Sequence, residues 1–299
     1  MNLKGIYRNK SESTKLFLFV MIVFISALIG VLSIGIIFVD IGELNFSPEN
    51  ISQLKIIQLI SSVFIFIIPP LLFSYFENNQ YLKELGFNSK FKRQNILMIL
   101  MIILFSQPLV VFCMQLNLDF IHSISDYIPK VVDIMNQMEE KARLSTEALL
   151  KMDNIGDLLF NLFLIALIPA IGEEMFFRGV IQKKLKNILR NPHIAILITS
   201  FIFSAIHMQF FGFLPRFFLG IILGYLFYYS GSLWMPIIAH FINNALAVLL
   251  MYLPFSKKIN TDISQLENAE INMIQATIFL LIVLFFIYLY KQINSKAID

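Results

Sequence analysis

GDLLFNLFLIALIPAIGEEMFFRGV, residues 156–180, is the stretch from which the rest of the chain can be read. It is apolar over the roughly 20 residues that a helix needs to cross a bilayer. Yet it carries two adjacent acids, Glu173 and Glu174, followed by Arg178. An ionisable side chain near a bilayer centre costs about 2.5–3.5 kcal/mol on insertion scales, so it is kept where it has a partner or a task. At roughly 100° per residue, Arg178 lies about 40° round the helix from Glu174 and about 140° from Glu173. An ion pair between Glu174 and Arg178 is therefore expected, with Glu173 pointing elsewhere and lacking a local partner.

Working outward, similar apolar runs fall at 16–39, 54–76, 95–117, 193–211, 213–230, 232–253 and 271–290, predicting eight spans in all. The composition agrees: 58% hydrophobic and 14% charged residues, with a mean hydropathy of +0.75, exceed what one soluble core of this size can bury. The expected fold is an all-α polytopic transmembrane bundle. We divide it into residues 1–155 (three spans and an extramembrane segment), 156–253 (the core) and 254–299 (a loop and the last span). No internal repeat is evident. The single cysteine, Cys113, excludes a disulfide framework and a multi-cysteine zinc site. The net charge of +3 comes from short basic loops, which speaks for membrane orientation and against nucleic acid.

Those loops set the expected topology. Lys4, Arg8, Lys10 and Lys15 precede the first run, which lacks a small-residue cleavage site and is read as a retained anchor. Lys83, Lys90, Lys92 and Arg93, then Lys183, Lys184, Lys186 and Arg190, then Lys291 and Lys296 make the cytoplasmic face, so both termini are placed inside, at the plasma membrane if the source is prokaryotic. The opposite loops balance Lys55 with Asp40, Glu43 and Glu49, and Lys257 and Lys258 with Asp262, Glu267 and Glu270. Within 118–155, Ile124, Ile128, Val131, Met135, Met138 and Ala142 recur at helical spacing, predicting an amphipathic helix. A lid and a helix lying at the interface both suit it, the interface being the simpler reading. Glu139, Glu140 and Arg143 on it are read as solvated.

Two more spans carry polar stripes. Ser200, Ser204 and His207 stand at i, i+4 and i+7, with Phe203 one turn before the histidine; His240 is followed by Asn243 and Asn244. Counting 1.5 Å per residue from the cytoplasmic helix ends puts Glu173 at about 15 Å, His207 at about 21 Å and His240 at about 12 Å. One shared buried cavity is expected, somewhat toward the cytoplasmic side. A lone buried histidine is usually a hydrogen-bonded core residue, but two histidines, an asparagine and two glutamates on three spans read as a site.

Glu173-Glu174-x-x-x-Arg178, Phe203-x-x-x-His207 and His240-x-x-x-Asn244, in that order, resemble the three motifs of the CPBP (CAAX protease and bacteriocin-processing, or Abi) family, which includes the type II CAAX prenyl endopeptidases. The resemblance covers about 156–253. It implies that Glu173 activates water with help from His207, that His240 and Asn244 stabilise an oxyanion, and that Glu174 and Arg178 support them. It implies a peptide or protein substrate, lipidated or not, beside membrane lipids. Family proteins are often named metalloproteases, and two histidines with a carboxylate suit zinc; with no H-E-x-x-H and with asparagine a poor ligand, we expect no cofactor. Ser200 and Ser204 lack a nucleophile context and are read as packing residues, as are Gly220 and Gly224. Arg216 is read as snorkelling, and His122 and His193 as polar residues at span edges. A proton-coupled transporter and a non-catalytic immunity or scaffold protein remain alternatives, and the sequence names no substrate.

Overall fold

The computed structural model describes residues 3–39, 51–87, 93–253 and 271–294. Their regular structure is helical: α1 (Glu12–Val39), α2 (Ile51–Glu77), α3 (Tyr81–Leu85), α4 (Arg93–Ser125), α5 (Pro129–Leu150), α6 (Ile155–Leu189), α7 (Pro192–Ala205), α8 (Phe213–Ser230), α9 (Trp234–Tyr252) and α10 (Met273–Asn294). Seven of these, all but α3, α5 and α7, are long and apolar enough to cross a membrane. The chain is a multi-pass, all-α membrane protein. Of the loop charges counted above, Asp40, Glu43, Glu49, Lys90, Lys92, Lys257, Lys258, Asp262, Glu267, Glu270 and Lys296 lie outside the described residues.

One predicted span is corrected. The run 193–211 contains only a 14-residue helix, which at 1.5 Å per residue reaches about 21 Å and falls short of the hydrocarbon thickness. Hydropathy continues through Ile206, Met208, Phe210 and Phe211, but the backbone turns: Met208 takes a positive φ of 53°. The hydroxyl of Ser204 donates to the carbonyl of Phe213 at 2.6 Å, and the amide of Asn117 donates to the carbonyls of Phe210 and Phe211 at 2.8 and 3.0 Å. His207 is thereby placed in a tied-down turn rather than inside a helix.

Prolines shape α2 and α6 alike. Each contains a π-helical stretch, Val63–Ile67 and Leu162–Leu167, ending just before Pro69-Pro70 and Pro169. A proline ring clashes with the carbonyl four residues earlier and offers no N–H to it, and widening the helix relieves both faults. In α6 the freed carbonyl is that of Ile165, and the Asn244 amide of α9 donates to it at 3.3 Å. The helices around the site pack closely through glycine. A Cβ on Gly220 of α8 would stand 2.9 Å from the Cβ of Ser200, and one on Gly224 would stand 2.8 Å from Ile196, so α7 and α8 touch backbone to backbone. Aromatic packing of Phe19, Phe73, Phe176, Phe177, Phe203 and Phe227 fills one half of the core, and aliphatic residues of α4, α8, α9 and α10 fill the other.

The basic segments gather at one end of the bundle. Lys184, although buried, is neutralised by Glu77, with Glu12 at 3.3 Å, and Lys15 reaches Glu12 at 2.8 Å and Glu77 at 3.1 Å. Lys183 donates to the backbone and side chain of Glu84; burial favours the neutral acid there, but Lys183 and Lys184 hold its carboxyl below the usual range. At the same end Asn95 of α4 and Asn294 of α10 exchange side-chain hydrogen bonds of 3.1 Å. The amphipathic α5 lies at the other end, packed on α2 and α4. Its buried side starts at Val132 rather than Val131, which is exposed, because a turn at 126–128 resets the helical period before Pro129.

α7 and the turn after it together bring the chain to the end of the bundle opposite Lys186, where Phe210 and Phe211 meet Asn117, so reporter fusions after Lys186 and after Leu253 should report opposite sides of the membrane, cytoplasmic and external in that order. Finding both on one side would overturn the orientation drawn from the basic loops.

Candidate active site

The site starts from the second glutamate. Glu174 and Arg178 have no exposed side-chain surface and pair at 2.7 Å, as four residues bring side chains nearly once round a helix. The other side of Arg178 donates to the carbonyl of Gly220 at 3.0 Å, an oxygen that only a side-chain-free residue leaves so open. Its guanidinium also lies over the ring of Phe203, 5.0 Å from the centroid. One arginine thus joins α6 to α8 and α7.

The same carboxylate oxygen of Glu174 takes a second hydrogen bond, from Nδ1 of His240 at 2.9 Å. That contact fixes the imidazole so that its other nitrogen faces Glu173: Nε2 stands 3.9 Å from Oε2 of Glu173. The distance is too long for a hydrogen bond and short enough for both groups to touch one small molecule. Glu173 retains about 12% side-chain exposure, whereas Glu174 has none. Adjacent in sequence, the two acids are therefore unlike: one is sealed and committed, the other reachable.

His207 is held by its own turn. Its Nδ1 donates to the carbonyl of Phe203 at 2.7 Å, and since a carbonyl only accepts, the neutral ring has its lone pair on Nε2. The ring meets the edge of Phe203 at 5.2 Å, and Phe203 meets His240 at 6.0 Å. His207, Phe203 and His240 therefore meet at one level, and the turn that holds His207 is tied to Asn117 toward the α5 end of α4 rather than toward the basic end, where the cavity was expected. The arrangement departs from expectation in a second respect, because the imidazole against Glu173 is that of His240. Asn244, one turn beyond His240 on the same face, is spent in part on Ile165, and Asn243 accepts from Gln107 of α4 at 3.3 Å. The Ser200 hydroxyl donates to Ile196 of its own helix at 2.7 Å.

Two residues read as bland from sequence belong to this neighbourhood. Arg216 is half-buried, hydrogen-bonded to Gln209, and lies within electrostatic range of Glu173 and His207. Glu139 of α5 is also half-buried, with one carboxylate oxygen sealed from solvent and without a partner, while Glu140 is paired with Arg143 at 2.8 Å. Neither place follows from local periodicity, since both depend on how the turn after α7 folds against α4 and α5. Among the described residues no three histidine, cysteine, aspartate or glutamate side chains converge in a metal-holding group.

Fold and site together define a multi-pass membrane protein with a buried glutamate and histidine centre. Comparison with known proteins then narrows the class: the family described as "Type II CAAX prenyl endopeptidase Rce1-like" matches residues 155–246, which contain all three motifs. That segment, under a third of the chain, is similar to the family in the region that carries the motifs resembling those of the CPBP/CAAX proteases. A curated relative, the uncharacterized protein YpbD of Bacillus subtilis (strain 168), is 32% identical over 89 residues, 28% of this chain; the chain spans 42% of that relative's length. No solved structure matches.

The two acids should fail differently when changed. Glu174→Gln leaves Arg178 and His240 without their carboxylate, and breaking a buried pair from one side typically costs about 3–5 kcal/mol, so the melting temperature and membrane abundance should fall. Glu173→Gln keeps its shape, and its nearest charged neighbour, His240, stands 3.9 Å away, beyond hydrogen-bond reach, so it should melt close to the parent. Thermal melts of both variants in one detergent make the check, and a destabilised Glu173→Gln beside a stable Glu174→Gln would reverse the roles.

Proposed function

We propose that the chain hydrolyses a peptide bond in a membrane-associated protein or peptide, using Glu173 as general base toward water. The observation that carries this reading is the geometry at His240: Nδ1 is tied to the sealed Glu174, so Nε2 faces the one glutamate that water can reach. Glu173 takes a proton from water as the oxygen attacks the scissile carbonyl, and the Nε2 lone pair of His207 is proposed as a second acceptor. His240 stabilises the oxyanion from Nε2 when that nitrogen carries a proton, and Asn244 adds its second amide N–H. Each such donor is worth about 2.7–4 kcal/mol in other enzymes. Collapse of the tetrahedral intermediate breaks the C–N bond, and the proton held by Glu173 leaves on the amine. Glu174, Arg178 and Phe203 hold the imidazoles in place.

The reaction is proposed to need no metal. Glu174 already accepts two N–H donors on one oxygen, and Arg178 and Arg216 both lie within electrostatic range of Glu173, so a divalent cation there would meet two positive neighbours. On the charge-based orientation, α5 and the turn holding His207 lie at the external end. Substrates are then extracytoplasmic or membrane-embedded segments, lipidated or not.

Purified protein should cleave a pool of membrane-protein peptides, retain that activity in strong chelators, and lose it by at least about a thousandfold in Glu173→Gln. Equal turnover by Glu173→Gln would discard the general-base role. Loss on chelation with recovery on adding zinc would make the histidines ligands, and no cleavage by the wild type would leave the scaffold alternative.

A further inference from the structure

A cavity of about 810 Å³ lies between α4, α5 and the turn that leads into α8. Val110, Met114 and Leu118 of α4 make an apolar wall beside Phe211 and Pro215; among the polar lining residues Glu140 and Arg143 pair with each other, while Arg216 and Glu139 lie in each other's field. The size is that of a ligand pocket. Its place is informative, because Arg216 connects it to the reactive centre.

Arg216 is aimed rather than mobile. Its guanidinium donates to the carbonyl of Gln209 at 3.0 Å and to that residue's side chain, and it rests flat on Gly212, where an added Cβ would stand 2.7 Å from a guanidinium nitrogen. Two donor groups are spent there, leaving others of the five for a ligand. On α5, Glu139 lines the same cavity; one of its two carboxylate oxygens is sealed from solvent, which leaves the other to meet a ligand's donor.

We propose that this cavity is a substrate subsite that holds an extended peptide segment next to Glu173, with Arg216 donating to a backbone carbonyl and Glu139 accepting from a backbone N–H. The chemistry selects the occupant. In an extended chain the N–H and C=O of one residue point to the same side, which matches an acceptor and a donor standing in one cavity, while the side chains meet the apolar wall of α4. A lipid tail would use the wall and leave both polar groups unmet. The segment lies on the α5 side, so α5 acts as the outer wall of the subsite rather than only resting at the interface. The inference rests on the proteolytic reading for its purpose, but binding is measurable without turnover.

The test uses full-length Glu173→Gln protein in detergent, with Cys113→Ser and a bimane label at Val111→Cys, on the cavity rim. The probe is the peptide acetyl-Leu-Val-Trp-Ala-Leu-amide, whose indole quenches bimane on contact. Saturable quenching is expected, weakened about tenfold or more by Arg216→Gln and by Glu139→Ala, partly restored by Arg216→Lys, and unchanged by Lys141→Gln, an exposed residue of α5 outside the cavity lining. A label at Leu104→Cys, exposed on the lipid-facing side of α4, reports partition into the micelle. Quenching at Val111 that merely matches Leu104 would overturn the subsite and make the cavity a detergent or lipid pocket. Saturable quenching indifferent to both polar substitutions would overturn the roles of Arg216 and Glu139. Melting curves exclude misfolded variants, and because the two substitutions lie on different helices, a variant that fails to fold leaves the other to decide. Specific binding with no cleavage by the wild type would sustain the subsite and sink the proteolytic function.

Discussion

One carboxylate oxygen of Glu174 holds the centre of this bundle together. It accepts from Arg178 at 2.7 Å and from His240 at 2.9 Å, inside a region with no solvent contact. Arg178 in turn reaches the Gly220 carbonyl and the face of Phe203, so a single ionic group fixes where α6, α7, α8 and α9 meet. Isolated, either charge would be prohibitive in this setting; paired and hydrogen-bonded, they become a fixed point. A purely apolar contact would stabilise the crossing as well, but it would leave the rotation of the His240 ring open, and that rotation decides what Glu173 faces.

The backbone around this point is arranged to accept polar side chains at membrane depth. Hydrocarbon offers no hydrogen bonds, so each carbonyl released from a helix ladder needs a partner within the protein. Pro169 releases Ile165, and Asn244 takes it; Gly220 and Gly224 expose their carbonyls, and Arg178 and Gln182 take those. The motif residues Asn244 and Arg178 are thus part of the packing of the bundle. The asparagine that anchors α9 to α6 sets the height of His240, one turn earlier.

Much of this is legible in the sequence because lipid imposes a strong local rule. Seven spans emerge with ends near those observed, and the pairing of Glu174 with Arg178 follows from helical angles alone. The end of α7 does not, since hydropathy cannot tell a helix from an apolar turn: Ile206, Met208, Phe210 and Phe211 are as greasy as the residues before them, and the turn is set by Asn117, more than 90 residues away. For the same reason the imidazole facing Glu173 comes from a different helix than the motif order suggests, and Arg216 and Glu139 look ordinary in sequence. Their surroundings come from a long-range fold, in which a charge near a span end, usually free to snorkel, is covered by an amphipathic helix.

The two neighbouring glutamates show how a protein separates identical groups. A base must exchange protons with water, and so it needs a reachable lone pair. Glu174 has given one oxygen to two donors and is sealed. Glu173 is one residue away, yet the helix turns its carboxylate toward the opening, against His240 and within the field of Arg178 and Arg216. Exchanging their order in sequence would not exchange their roles, because the role is set by which direction from α6 meets Gly220 and which meets the cavity. The different surroundings of the adjacent acids are therefore made by α7, α8 and α9, and not by α6 on which both stand.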